Sequence, residues 1–164
     1  GIGTGGTVCG IGKYMKEKKP SVKILAVDPV GSIVYDYFKT GKLETKPKTY
    51  KIEGIGEDFI PKNYDFSVID DMIQIEDKES YLMTRDLPTK EGLYVGVSSG
   101  GAVVGAMKWL QKQGDRNVGA CVKCCTRRPD TAVDQATFAH PPVSCFSLIS
   151  PADRMLRRRR TTAA

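Results

Sequence analysis

The chain has 164 residues, 40% of them hydrophobic and 27% charged, enough for one domain with its own core and ordinary for a globular protein. Its formal charge of +6 gathers in residues 119–164, where eight Lys and Arg stand against three acids. Residues 1–118 are near neutral, which argues against a nucleic-acid partner. No apolar run approaches the ~18 residues that span a bilayer, and no basic-then-apolar leader opens the chain.

The chain opens without Met and inside a motif, so it reads as a fragment whose start lies upstream. Cys9 stands alone in the first 118 residues, while Cys121, Cys124, Cys125 and Cys145 sit in the tail. That distribution, with an odd total, fits a reducing, cytoplasmic setting.

Gly1-Ile2-Gly3-Thr4-Gly5-Gly6-Thr7 reads as a loop. A helix is expected from about Val8 to Lys18, burying Val8, Ile11 and Met15, with Pro20 and Ser21 ending it. Val22 to Val27 reads as a buried strand closed by Asp28-Pro29. Helix followed by strand on this scale is a unit of an α/β fold with a parallel sheet. A short helix is expected around Ile33 to Phe38. The two glycines of Gly54-Ile55-Gly56 imply a tight bend or a close ligand approach. Phe66 to Asp70 reads as a strand, and Ile73 to Ile75 as a second extended piece. Asp77 is expected to cap a helix running toward Lys90, with Gly92 at its far end. Pro88 should kink that helix or end it early, because an interior proline costs about 3 kcal/mol. Leu93 to Val97 reads as a strand, Ser98 to Gly101 as a loop, and Ala102 to about Gln113 as a helix burying Val103, Met107 and Leu110. Past Asn117-Val118 no period of 2 or 3.6 persists, and residues 119–164 read as a divergent, disordered tail.

The opening loop supports two chemistries. Gly1-x-Gly3-x-x-Gly6 before a helix, with Asp28 ending a strand about twenty residues on, fits a dinucleotide fingerprint in which Asp28 holds ribose hydroxyls. That reading makes the chain a nicotinamide-dependent oxidoreductase, or a non-catalytic binding module that keeps only the nucleotide-loop fold. Alternatively, Thr4 and Thr7 place two hydroxyls among closely spaced glycines. Bare amides at a helix N-terminus plus two hydroxyls suit a terminal monophosphate. A plain glycine-rich turn is the bland reading, as an N-cap pair is for Ser98-Ser99.

Four segments in order carry a family resemblance. Gly3-Thr4-Gly5-Gly6-Thr7 resembles the phosphate loop of fold-type II pyridoxal-phosphate enzymes. Val27-Asp28-Pro29-Val30-Gly31-Ser32-Ile33 and Glu53-Gly54-Ile55-Gly56-Glu57-Asp58-Phe59-Ile60-Pro61 resemble segments of cystathionine β-synthases. Gly96-Val97-Ser98-Ser99-Gly100-Gly101-Ala102 is similar to the loop whose first serine meets the pyridine nitrogen. The resemblance covers about Gly1 to Val118. It implies a three-layer α/β fold of the tryptophan synthase β type, with a parallel sheet flanked by helices and incomplete in this chain. It implies pyridoxal 5'-phosphate as cofactor, with Gly3, Thr4, Gly5, Gly6 and Thr7 on its phosphate and Ser98 on its ring nitrogen. Gly54, Ile55 and Gly56 would lie on the substrate side, and Asp28 would be a strand-end residue with no ribose to bind. A neutral hydroxyl at the ring nitrogen favours loss of a β-substituent over transamination. The implied reaction is β-replacement, joining serine to homocysteine as in cystathionine β-synthase, or O-acetylserine to sulfide as in cysteine synthase. Amino-acid substrates and a homodimeric full-length protein follow from the same resemblance.

Two departures bear on activity. The family's Schiff-base lysine lies upstream of the phosphate loop, and no lysine here stands in the matching motif, so the chain alone is expected to be inactive. The family's final strand and its Pro-Asp-Ser loop are replaced after Val118 by Gly119-Ala120-Cys121-Val122-Lys123-Cys124-Cys125, as a frameshift, an unspliced intron or a faulty gene model would produce. Cys121, Cys124, Cys125, His140 and Cys145 match no common zinc spacing, so no metal is expected. Arg157 to Arg160 read as a solvated end.

Overall fold

The computed structural model describes residues 1–113, together with the backbone of two short strands at 120–123 and 145–148. In chain order the elements are α1 (Gly6–Lys18), β1 (Leu25–Pro29), α2 (Val34–Thr40), a 3-10 turn (Phe66–Val68), β2 (Asp71–Ile75), α3 (Asp77–Glu91), α4 (Val97–Gln113), β3 (Ala120–Lys123) and β4 (Cys145–Leu148). This is a mixed α/β architecture with a small parallel sheet. β1 and β2 pair in parallel with Ala26 opposite Met72 and Val27 opposite Ile73. β3 and β4 pair with each other, antiparallel.

Alternation along the strands splits the core in two. Ala26 and Met72 join Ile2, Cys9, Val34, Val68 and Ile69 on one side of the sheet, with Val8, Tyr35 and Phe38 packed against them. Val27, Ile73 and Ile75 join Ile52, Ile55 and Val104 on the other, with Met83, Val97 and Trp109. So α1 and α2 cover one face, and α3 and α4 the other. A third cluster, Leu87, Val95, Ala102, Val103 and Ala106, fills the gap between α3 and α4.

Helices α1 and α4 both run against the strands. Lys16, near the end of α1, pairs with Asp70 at 2.9 Å, and Asp70 immediately precedes β2. Gly101, in the first turns of α4, lies against Ile75 at the far end of β2. The N-termini of α1 and α4 therefore open at the carboxyl ends of the strands, from opposite faces of the sheet.

Several expectations are corrected. The first strand starts at Leu25, not Val22, because the Asp70 carboxylate accepts the Ile24 N–H at 2.7 Å and fixes the entry outside the ladder. Phe66–Val68 is a 3-10 turn, since the Asp65 side chain accepts the Ser67 N–H at 3.1 Å and starts a turn. Glu76, not Asp77, caps α3, in a reciprocal capping box with Glu79. Pro88 does not end α3, which runs on to Glu91 before Gly92 closes it in left-handed geometry. Leu93 to Val97 forms no strand. Val95 is buried and Tyr94 is 84% exposed, so the alternation is real, but it lines the α3–α4 cluster. α4 begins at Val97 rather than Ala102, because the Gly96 carbonyl already accepts the Ser99 and Gly100 N–H groups. Ile11 and Met107 are exposed, and Cys9, Gly12 and the small residues 99–102 take the buried faces instead. Two strands stand in the tail, where no regular pattern is legible. His140, Cys124, Cys125 and Arg157 to Arg160 lie outside the described residues.

Candidate functional site

Ile2 organises the opening loop. Fully buried, it donates its N–H to the Val27 carbonyl at 3.0 Å and accepts the Gly56 N–H on its own carbonyl at 2.7 Å. One residue thus ties the glycine loop to β1 and to the turn carrying Gly54, Ile55 and Gly56. Gly3 lies so close to that turn that an added side-chain carbon would sit 2.9 Å from the Gly54 carbonyl oxygen.

Gly5 then sets the direction of α1. Its φ of 83° and ψ of −19° are left-handed, and the helix begins at the next residue. A left-handed residue followed by right-handed ones turns successive N–H groups to one side, a concavity suited to anions. The macrodipole of α1 adds to it, and no acid stands in its first turn. A side chain on Gly6 would meet nothing within 4 Å among the described residues, so the mouth of this concavity is open toward them. Thr4 and Thr7 are exposed, and among the described residues no hydrogen bond engages either hydroxyl.

Ser98 occupies the first turn of α4. It is half-buried, whereas Ser99 is buried, and its hydroxyl has no partner among the described residues. The N-cap reading of this pair does not hold, because both serines lie inside the helix. Gly54 is exposed, and Gly54 and Gly56 are left-handed at φ 80° and 79°. The Ile55 side chain is a core residue, 6% exposed, so this segment offers a ligand backbone rather than that side chain. An open hollow of about 450 Å³ adjoins the turn, lined by Pro47, Lys48, Thr49, Tyr50, Glu57 and Asp58.

Asp28 is fully buried, and its task is internal. Its Oδ2 accepts the Tyr35 N–H at 3.0 Å, in the first turn of α2, while Oδ1 has no hydrogen-bond partner among the described residues. Burial pushes its pKa up from 3.8 to about 7, and the acids Asp36 and Glu57 push the same way. The nearby Ser32 hydroxyl and the Tyr35 N–H offset only part of that. The Ser32 hydroxyl accepts the Val34 N–H at 3.2 Å and donates to the Glu57 carbonyl at 3.1 Å, stapling α2 to the glycine turn.

The sequence reading missed Tyr64. Its hydroxyl donates to the Gly3 carbonyl oxygen, and its ring fills the space where a Gly5 side chain would be. The residue lies between two elements and belongs to no motif, so no local pattern marks it.

Residues 1–122 match the family described as pyridoxal-phosphate dependent enzyme. A cysteine synthase of Buchnera aphidicola subsp. Schizaphis graminum is 44% identical over 117 residues, 70% of this chain and 36% of the relative. A cystathionine beta-synthase of Dictyostelium discoideum is 47% identical over 105 residues, 64% of this chain and 20% of the relative. The cystathionine beta-synthase of Rattus norvegicus is 43% identical over 118 residues, 71% of this chain and 21% of the relative. The chain spans about a fifth to a third of the length of these relatives. It belongs to the pyridoxal-phosphate dependent enzyme family, within the group of cysteine and cystathionine synthases. The dinucleotide reading falls with this, because a fully buried Asp28 that holds α2 has no carboxylate to offer a ribose. The open mouth at Gly6, the two unengaged threonine hydroxyls and the unengaged Ser98 hydroxyl are compatible with a cofactor that bears a phosphate and other hydrogen-bonding groups.

Proposed function

We propose that the chain holds the phosphate and ring nitrogen of pyridoxal 5'-phosphate within an enzyme of β-replacement on serine-type amino acids. The leading reaction is cystathionine β-synthase-like, serine plus homocysteine. The alternative is cysteine synthase chemistry, O-acetylserine plus sulfide, and relatives bear both names. Residues 1–118 would form the cofactor-binding part of a three-layer fold of type II, with 119–164 a divergent tail. The whole protein would be a cytoplasmic homodimer acting on small amino acids.

The observation that carries this reading is the left-handed Gly5 opening α1 onto free space at Gly6. When bound, the cofactor withdraws electrons from the amino-acid Cα so that a β-substituent can leave. The chain's own residues hold and orient. The amides of the first turn of α1, with Gly3, Gly5 and Gly6 keeping the backbone bare, receive the phosphate. The Thr4 and Thr7 hydroxyls add donors to its oxygens. Ser98 donates to the ring nitrogen without supplying a charge, which keeps the ring a moderate electron sink. The backbone of Gly54, Ile55 and Gly56 borders the substrate.

Equilibrium dialysis of the purified 164-residue chain tests this. Pyridoxal 5'-phosphate should be retained roughly tenfold more tightly than pyridoxal, as charge-assisted hydrogen bonds to one phosphate provide, and inorganic phosphate should displace it. Equal retention of the two overturns the reading. No lysine of the chain stands in the family's Schiff-base motif, so neither substrate pair should turn over; turnover would refute that part alone.

A further inference from the structure

We infer that Tyr64 is a positioning residue for the anion site, holding the glycine loop in the form that aims its amides at a phosphate. The inference rests on the phosphate-loop reading above. In a trans peptide the carbonyl of one residue and the N–H of the next point in opposite directions. The Tyr64 hydroxyl holds the Gly3 carbonyl toward the protein, which turns the Thr4 N–H the other way. The Tyr64 ring lies where any Gly5 side chain would be, so it backs the left-handed residue on which the concavity depends. These two contacts fix the peptides on either side of Thr4.

The support beneath is firm. The Tyr64 ring meets Phe66 edge-on with centroids 5.2 Å apart, and its N–H donates to the Pro61 carbonyl at 3.1 Å. The next residue clamps α1 to the same segment. The Asp65 N–H donates to Cys9 Sγ at 3.2 Å, and its carboxylate pairs with Lys13 at 3.0 Å. The hydroxyl remains a donor throughout the working pH range, since burial, and then the nearby acids Glu57 and Asp28, push its pKa far above the usual tyrosine value.

The test follows the backbone amides of Gly3 to Thr7 by NMR in the isotopically labelled 164-residue chain during titration with inorganic phosphate, pyridoxal 5'-phosphate and pyridoxal. In the wild-type chain the two phosphate-bearing probes should move these resonances and pyridoxal should not. Tyr64→Phe keeps the ring and its packing but removes the hydroxyl. It should weaken both phosphate-bearing probes by roughly threefold to tenfold, the range one lost hydrogen bond provides, and leave pyridoxal unchanged. Tyr64→Leu, which also removes the ring, should weaken them at least as much and serves if the Phe variant does not fold. Phe66→Leu loosens the packing but leaves the hydroxyl, so it should lower the melting temperature without lowering phosphate affinity. Unchanged phosphate affinity in a folded Tyr64 variant, or the same loss in Phe66→Leu, overturns the positioning role alone. A wild-type chain whose loop amides answer neither phosphate-bearing probe overturns the phosphate-loop reading and this inference with it.

Discussion

Asp28→Asn should stabilise the protein at neutral and alkaline pH, and its effect should vanish in acid. The carboxyl has 0% exposure, one oxygen on the Tyr35 N–H and the other without a hydrogen bond among the described residues. Its pKa rises from 3.8 to about 7 on folding, chiefly through burial. Between those values the folded state holds a proton that the unfolded state has released, so stability falls as pH rises through the window and is fully present only below it. A shift of about 3 units corresponds to about 4 kcal/mol over the whole window, of which about 2 to 3 kcal/mol lies between pH 5 and pH 8. The paired carboxylates Asp65, Asp70, Asp71 and Glu79 are held below their ordinary range, so they lose their contribution only in stronger acid and leave this window clear. An asparagine oxygen can still accept the Tyr35 N–H while carrying no charge. Urea unfolding at intervals from pH 5 to pH 8 should show the wild-type chain losing stability and the variant nearly level. A wild-type curve that rises with pH, or a variant that keeps the wild-type slope, refutes the reasoning.

Three other changes should read out directly in thermal or urea unfolding. Pro88→Ala restores an N–H inside α3, whose helix runs through that position, and should add about 1 to 2 kcal/mol, less than the full helix preference because the unfolded chain also gains freedom. Gly105→Val places a side chain where α4 presses on Val27 and should cost about 1 to 3 kcal/mol or more; an unchanged midpoint would show that α4 does not pack that closely. Glu79→Ala removes both an arm of the α3 capping box and the 2.6 Å pair with Lys108. It should cost about 1 kcal/mol, with the ion-pair share screened at this half-exposed site and shrinking in high salt.

What the sequence makes legible is what repeats or what uses glycine. The helices α1, α2 and α3 follow from periodicity and breakers, and Gly92 is read as a helix end because only a left-handed residue suits it. The parallel pairing of β1 and β2 follows from helix–strand order, but its register does not. The errors come from tertiary contacts. Val22-Lys23-Ile24 has strand composition, yet Asp70 captures the Ile24 amide. Leu93 to Val97 alternates like a strand, yet no neighbouring strand is there to pair with it among the described residues. At the site, Gly3 to Thr7 and Ser98 are visible as motifs. Ile55 is placed on the substrate side by the family resemblance, and only packing shows that its side chain faces the core. Tyr64 acts across 61 positions of chain on the Gly3 carbonyl, a distance that no local pattern reports.

The two halves of the proposed cofactor site are built on different cores, and this decides how they respond to damage. The phosphate end rests on the side of the sheet with Cys9, Ala26 and Met72. Ser98 sits at the head of α4, packed on the side with Val27, Ile73 and Val104. A covalent and hydrogen-bonded path joins them at Ile2, which belongs to the first core, and Gly56, whose N–H it accepts beside Ile55 of the second. Losing a packing contact in one core therefore loosens one end of the site first, because packed clusters separated by a paired sheet yield independently when their residues share no partner. Gly100→Ala places a side chain against Thr84 and Ser80 of α3 and would reach Ser98 while touching neither β1 nor the anion loop. Truncating Ile2 would loosen both ends at once, since the glycine loop and the Gly54–Gly56 turn lean on the same residue. Phosphate titration of these two variants separates the cases: the amides of Gly3 to Thr7 should keep their affinity in Gly100→Ala and lose it in Ile2→Ala.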